Sequence, residues 1–251
     1  MCIIAIKSRE VAYPSHKRVR TMCENNSDGF AIVWHVKGEP VRNYRTLNEK
    51  KFMKKYNEIT STYKAKDVSL FIHARIKTHG TQKLENCHGW IEDKVGLAFA
   101  HNGILSINNR DDMTDSETFF RDIFVPVFEI GGWDAGERAI KACIGTSKFC
   151  FMDMYGNLIH FGNYIKGDDG ILYSNDSYME RTWNTYGGYY GIGSCNYGLK
   201  QSDKYYADRT KEKEKSFISK SQSKTSVIQD DYDDWYNSEE YWKDRAQFRS
   251  K

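Results

Sequence analysis

Short, strongly apolar runs set the fold class of this chain. "FAIVWHV" spans residues 30–36, "VSLFIHA" residues 68–74 and "VGLAFA" residues 95–100. Each is too short for a stable helix and too apolar for a solvated surface, so each reads as a buried strand. Ile3, Ile4 and Ile6 begin another, and residues 171–173 a further short one. Residues 148–154 and 158–161 flank the turn "YGN" and predict a hairpin. Helical spacing predicts helices over residues 16–25, 47–62, 116–130 and 134–144, the first opened by Pro14-Ser15. Strands and helices are mixed, and neighbouring strands are joined by tight turns. That pattern favours a layered α+β domain over a doubly wound parallel sheet.

Composition removes several classes of function. The net charge of +3 over 251 residues gives no footprint for nucleic acid. No run is long and apolar enough to span a bilayer. The six cysteines include no C-x-x-C pair and follow no framework spacing, which argues against structural zinc and a disulfide scaffold. Free thiols and the lack of a signal-peptide pattern predict a reducing, cytoplasmic setting. After residue 198 the texture changes. Residues 199–229 are rich in Lys, Ser and Glu and read as a polar flexible linker. Residues 230–251 mix carboxylates with Tyr232, Trp235, Tyr236 and Trp242. A helix would gather those rings near one face, suited either to docking a partner or to covering its own domain.

Chemistry concentrates in four other places: Cys2, "HARIKTHG" at 73–80, "AHNGIL" at 100–105 and "TDSE" at 114–117. If Met1 is removed, Cys2 carries a thiol beside a free α-amine. An amine of pKa ~8 can take the thiol proton and return it to a departing nitrogen. Asn102 offers an amide NH2, and the Gly103 N–H is open to close approach, so the two could hold a tetrahedral oxyanion. Arg75 offers a planar fork for a carboxylate and Asp115 a counter-charge for an ammonium. A substrate carrying both charges is an amino acid, and a side-chain amide makes it glutamine or asparagine.

Together these stretches resemble the glutaminase domain of class II glutamine amidotransferases, members of the N-terminal nucleophile hydrolases. The family's leading Cys is Cys2. Its H-x-R-x-x-T-x-G segment matches His73, Arg75, Thr78 and Gly80, with His79 shared by several members. Its N-x-H segment matches Asn86 and His88, and its H-N-G motif matches His101, Asn102 and Gly103. Its S-D-T/S-E segment matches Asp115, Ser116 and Glu117. "GILYSND" at 170–176 is more loosely similar to a late strand-and-Ser segment. Thr114 replaces the usual Ser, Ile76-Lys77 a commonly aromatic stretch, and Gly89 the usual Pro. The similarity covers about residues 2–195.

The resemblance implies a four-layer αββα sandwich over residues 2–198. It implies conversion of L-glutamine to glutamate and ammonia through a γ-glutamyl thioester on Cys2, with no cofactor and no metal. It assigns substrate binding to Arg75, Thr78, His79 and Asp115, and supporting roles to His73, Asn86, His88 and His101. No synthetase-like region follows, so the ammonia would pass to a separate partner enzyme, and a homo-oligomer is the other assembly expected. Two further functions stay open: an amidohydrolase acting on another amide, such as a γ-glutamyl compound or peptide, and a non-catalytic binding protein. Arg75 paired with Asp115 favours free glutamine over the first, and the intact oxyanion pair argues against the second. Plainer readings stand beside each residue. Cys2 could be a small core residue, and Arg75 one half of a surface ion pair. Asn102-Gly103 could be a hairpin turn and Asp115 a helix N-cap. His101 could orient the Asn102 loop.

Overall fold

The computed structural model describes residues 2–76, 83–110 and 113–180. Among the described residues, ten strands form two antiparallel sheets. In chain order they are β1 (Ile3–Lys7), β2 (Gly29–Val36), β3 (Arg42–Thr46), β4 (Val68–Arg75), β5 (Trp90–Glu92), β6 (Leu97–Asn102), β7 (Lys148–Asp153), β8 (Leu158–Phe161), β9 (Ile165–Lys166) and β10 (Leu172–Tyr173). The first sheet has the order β3-β2-β4-β1-β10-β9 and the second β5-β6-β7-β8. The fold is α+β.

The central strands are buried on both faces, and their alternating side chains go to different cores. Ile3 and Ala5 of β1, Phe30, Ile32 and Trp34 of β2, and Leu70, Ile72 and Ala74 of β4 share one cluster with Val19, Met22, Phe52, Tyr56 and Ile59. Those last five come from α1 (His16–Asn25) and α2 (Glu49–Thr62). The alternate residues Ile4, Ile6, Val33 and Phe71 pack instead with Ala98, Ala100, Cys150 and Met152 of β6 and β7. That second cluster joins the two sheets. On the other side of β6 and β7, Phe99, Phe149 and Phe151 meet Phe119, Phe120 and Phe124.

Those phenylalanines belong to a helical run that changes gauge. It begins as α3 (Asp115–Thr118), widens to a π-helix over Phe119–Phe124, and continues as α4 (Val125–Cys143). The expected break between residues 130 and 134 is present. Gly132 sits at φ 58°, ψ −150°, a conformation that needs a residue without Cβ.

The helix over residues 16–25 and its Ser15 cap are as expected, with Ser15 accepting from the Arg18 N–H at 3.2 Å. The second helix starts two residues later than expected because Asn48, in extended conformation, caps it through the Lys51 N–H at 3.0 Å. Strand β6 runs on to Asn102, and the 148–161 hairpin pairs Phe149 with Phe161. Three strands had no sequence signal: β3, β5 and β9. All are sheet edges. An edge strand is held by its neighbour's hydrogen bonds and need not alternate apolar residues. "RNYRT" of β3 is mostly exposed or half-buried.

Candidate active site

Period-2 geometry also places the chemistry. Cys2 precedes β1 in phase with Ile4 and Ile6, and His73 and Arg75 lie in phase with Phe71 on β4. Asn102 ends β6 in phase with Ala98 and Ala100. All four positions belong to the inter-sheet side. His101, one residue earlier, belongs to the opposite side, where its ring meets Phe149 at 5.0 Å.

At this end of the sheets lies a cavity of about 280 Å³. Cys2, Arg75, His88, His101, Gly103 and Asp115 line it. They come from five separate parts of the chain. His73, Asn86 and Asn102 do not line it. His73 and Asn102 are buried behind the wall, and Asn86 ends a short 3-10 turn. Thr78 and His79 lie outside the described residues, as do Gly80, Cys195 and the segments 199–229 and 230–251.

The Cys2 thiol donates to the Ile76 carbonyl at 3.7 Å. Burial pushes its pKa up, while the Ile76 contact and the Arg75 charge pull it down. The net direction is upward, so the sulfur holds its proton at neutral pH and attack requires a base. Arg75 is 6% exposed at the end of β4, and its Nη1 has no hydrogen-bond partner among the described residues. A buried guanidinium with an unused donor is a site for an anionic oxygen.

Asp115 does not cap its helix. Thr114 does, accepting from the Glu117 N–H at 3.2 Å. Asp115 turns its carboxylate to the Leu105 N–H at 2.8 Å and the Ser116 N–H at 2.7 Å. These donors are neutral. They orient the carboxylate without cancelling its charge, which leaves it suited to an ammonium.

Nor is Asn102-Gly103 a hairpin turn. Asn102 pairs with Lys148 across β6 and β7, and its Nδ2 donates to Ser174 Oγ at 2.8 Å. Gly103 has φ 149° and passes so close to Ser147 that a Cβ would lie 2.1 Å from its Oγ.

Three imidazoles stack at the cavity, His88 and His101 in its lining and His73 behind it. His73 and His88 lie 4.2 Å apart and 12° from parallel, and His88 and His101 lie 6.1 Å apart. His88 Nδ1 accepts from the His101 backbone N–H at 3.1 Å, so in the neutral ring its proton sits on Nε2. His101 Nδ1 meets Ser116 Oγ at 2.7 Å, and that hydroxyl donates to Asp115 Oδ1 at 3.1 Å. His101 is therefore tied to α3 through Ser116, and through Asp115 to the Leu105 N–H of the loop after Asn102. Among the described residues no group of three His, Cys, Asp or Glu is placed to hold a metal.

Burial drives all three pKa values down, with help from neighbouring positive charge for His73 and His88: His73 to about 3, His101 to about 4, and His88 well below its usual value. The unfolded chain takes up these protons near pH ~6.5 and the folded chain does not. Stability is therefore full above pH ~6.5 and falls as pH drops toward 4. The slope is about 1.4 kcal/mol per pH unit for each histidine kept neutral. Urea unfolding at several pH values checks this, and a midpoint that is flat between pH 7 and 5 would contradict it. Replacing His73 with Phe should flatten the slope.

Sequence reasoning missed Ser174 and Asn175. Asn175 Nδ2 donates to the Cys2 carbonyl at 2.7 Å, and Ser174 Oγ accepts from the Ile4 N–H at 2.8 Å. The "YSND" stretch was their only signal. Gly89, where the resemblance leads one to expect Pro, has φ 91° and donates its N–H to the Phe99 carbonyl at 2.8 Å. Proline can do neither.

No protein-family model matches the chain. One curated relative does: a Haemophilus influenzae protein described as "Putative glutamine amidotransferase", 30% identical over 106 residues. Over that stretch the chain resembles a glutamine amidotransferase. The match covers 41% of this chain and 35% of that relative, so the chain spans about a third of its length. Among solved structures, the glutamine phosphoribosylpyrophosphate amidotransferase of B. subtilis aligns with TM-score 0.42 and 16% identity, over 69% of this chain and 42% of that one. A glutamine aminotransferase class-II domain protein from Silicibacter pomeroyi aligns with TM-score 0.40 and 16% identity, over 69% and 87%. Among the described residues, no helix is long and apolar enough to cross a membrane.

Proposed function

We propose that this chain is a glutaminase-type amidotransferase of class II. In this reading Cys2, exposed by removal of Met1, attacks the side-chain carboxamide of L-glutamine. The α-amine takes the thiol proton as the C–S bond forms. The tetrahedral oxyanion is held by the Asn102 NH2 and the Gly103 N–H. Collapse expels ammonia, which carries the proton returned by the α-ammonium. Water, deprotonated by the same amine, then cleaves the γ-glutamyl thioester and releases glutamate. Arg75 holds the substrate carboxylate and Asp115 its ammonium, with Thr78 and His79 as further substrate contacts. The ammonia goes to an acceptor enzyme, and the tail at 230–251 is its proposed docking segment. The layer sequence proposed is αββα, and the separate cores on the two sides of each sheet support it.

One observation carries this reading. Cys2, Arg75, Gly103 and Asp115 line the same cavity, although they are up to 113 positions apart in sequence. A nucleophile, a carboxylate fork, an oxyanion donor and an ammonium partner are what a glutamine amide requires. The charge pair favours a free amino acid over a peptide amide.

The test is glutamine turnover by the purified chain, followed as ammonia and glutamate release. Arg75→Ala should raise KM by roughly 10²-fold, since it removes a charge-assisted contact present in ground and transition states. Asn102→Ala should lower kcat by ~10²–10³-fold, because its contact strengthens as charge develops. If Asn102→Ala altered only KM, the division of roles would be wrong. Intact mass of the active protein reports whether Met1 is absent, and full activity with Met1 retained would exclude the α-amine as base.

A further inference from the structure

Ser174 sits where the two sheets come together behind the cavity. It follows β10, and its backbone N–H donates to the Ile4 carbonyl at 2.9 Å. Its Oγ accepts from the Ile4 N–H at 2.8 Å, two residues beyond Cys2. The same oxygen lies 2.8 Å from Asn102 Nδ2, which belongs to the other sheet. Ser174 and Asn102 are each 2% exposed, so bulk water cannot complete this network. One hydroxyl thus connects the strand that follows the nucleophile to the proposed oxyanion amide.

The network is also unbalanced in an informative way. A serine hydroxyl has one proton and two lone pairs. With Ile4 and Asn102 both donating into it, its own proton is unused in this network. Meanwhile Asn102 Oδ1 is buried without a partner among the described residues. Turning the Asn102 amide by 180° exchanges two nearly isosteric atoms and gives the Ser174 proton an acceptor. The Ser174 hydroxyl then donates to Asn102 Oδ1 and still accepts from Ile4. The Asn102 NH2 moves to the unpaired position, where it is a buried donor without an acceptor among the described residues. A buried donor left unpaired is costly unless a ligand uses it.

We propose that Ser174 is a positioning residue that fixes the Asn102 amide with its NH2 presented to the oxyanion. The proposal rests on the glutaminase reading above. Ser174 does not touch substrate in this scheme. It acts through Asn102, by setting which amide atom Ser174 holds and which is left free for the oxyanion.

Glutamine kinetics on the full chain test it. Ser174→Ala should lower kcat by ~10–10²-fold while KM moves less than about threefold, because orientation matters most once the oxyanion forms. Ser174→Thr, which keeps the hydroxyl, should retain most of the activity. In an Asn102→Ala background, Ser174→Ala should cost less than about threefold more, since its effect passes through the missing amide. Should Ser174→Ala not fold, as judged by thermal unfolding, Ser174→Cys gives the same comparison with near-equal volume and a much weaker hydrogen-bonding group. Wild-type kcat in Ser174→Ala or Ser174→Cys overturns the role, and so does a loss that multiplies in full with Asn102→Ala. The reading beneath it fails separately. A wild-type chain that neither releases ammonia from glutamine nor is labelled at Cys2 by a glutamine-like diazoketone removes both. An active, labelled wild type with an unimpaired Ser174→Ala variant removes the positioning role alone.

Discussion

Replacing Cys2 with alanine is expected to abolish glutamine turnover and leave the fold in place. The two halves of that expectation have different physical sources. Structurally, Cys2 contributes little. It is half-buried, precedes β1, and its sulfur makes one long contact to the Ile76 carbonyl. Losing that contact should cost about 1 kcal/mol or less, within the ordinary range for point substitutions. Chemically, no other described thiol can substitute. Cys23, Cys87 and Cys150 are buried, and Cys143 closes α4, away from the cavity lining. Removing the nucleophile of a concerted site typically lowers kcat by ~10⁴-fold or more. Ammonia release and the thermal unfolding midpoint, measured on the same preparation, separate the two effects. Residual activity within tenfold of wild type would move the nucleophile elsewhere. A collapsed midpoint would make Cys2 a core residue after all.

Gly103→Ala should be the most damaging single methyl group in the site. An added Cβ would lie 2.1 Å from Ser147 Oγ, 2.7 Å from its Cβ and 2.9 Å from its Cα. The side chain could rotate away, but the Cα could not. Ser147 is 2% exposed and leads directly into β7, whose Lys148 is paired with Asn102. Relief therefore means shifting the β6–β7 ladder at the residue proposed to bind the oxyanion. The positive φ of 149° adds backbone strain. Overpacking and strain together should destabilise by roughly 2–4 kcal/mol. For a chain of this size that lowers the midpoint by roughly 5–15 °C. A displaced Gly103 N–H should also reduce kcat by ~10²-fold. Pairing it with Ser147→Gly removes part of the contact and should recover part of the stability. A Gly103→Ala variant with unchanged midpoint and activity would show that neither the close approach nor the N–H matters.

Much of this was legible in the chain itself. The apolar runs at 30–36 and 68–74 are strands because every position in them is buried, and the run at 95–100 enters β6 at Leu97 after a turn through Gly96; composition alone expresses that demand. The break at Gly131-Gly132 and the Ser15 cap are local, and local residue chemistry states them. The residue types for amide chemistry were also readable, because Cys2, Arg75, Asn102, Gly103 and Asp115 belong to short ordered motifs.

What the sequence could not state is which face each residue serves. His101 and Asn102 are neighbours, yet one is bonded to α3 through Ser116 and the other crosses to Ser174, which follows β10 of the opposite sheet. Only the packing of two sheets decides that, because a strand alternates sides and its sequence does not name the layer each side meets. Thr114 took the N-cap from Asp115 for a similar reason: the cap depends on which residue holds extended backbone. The edge strand "RNYRT" exists because β2 offers it hydrogen bonds, so its evidence lies in a partner and not in its own residues. Ser174, the junction between nucleophile strand and oxyanion amide, is 172 positions from Cys2. Its importance is a tertiary fact, fixed when β10 pairs with β1 and brings one hydroxyl between the buried Ile4 N–H and the Asn102 amide.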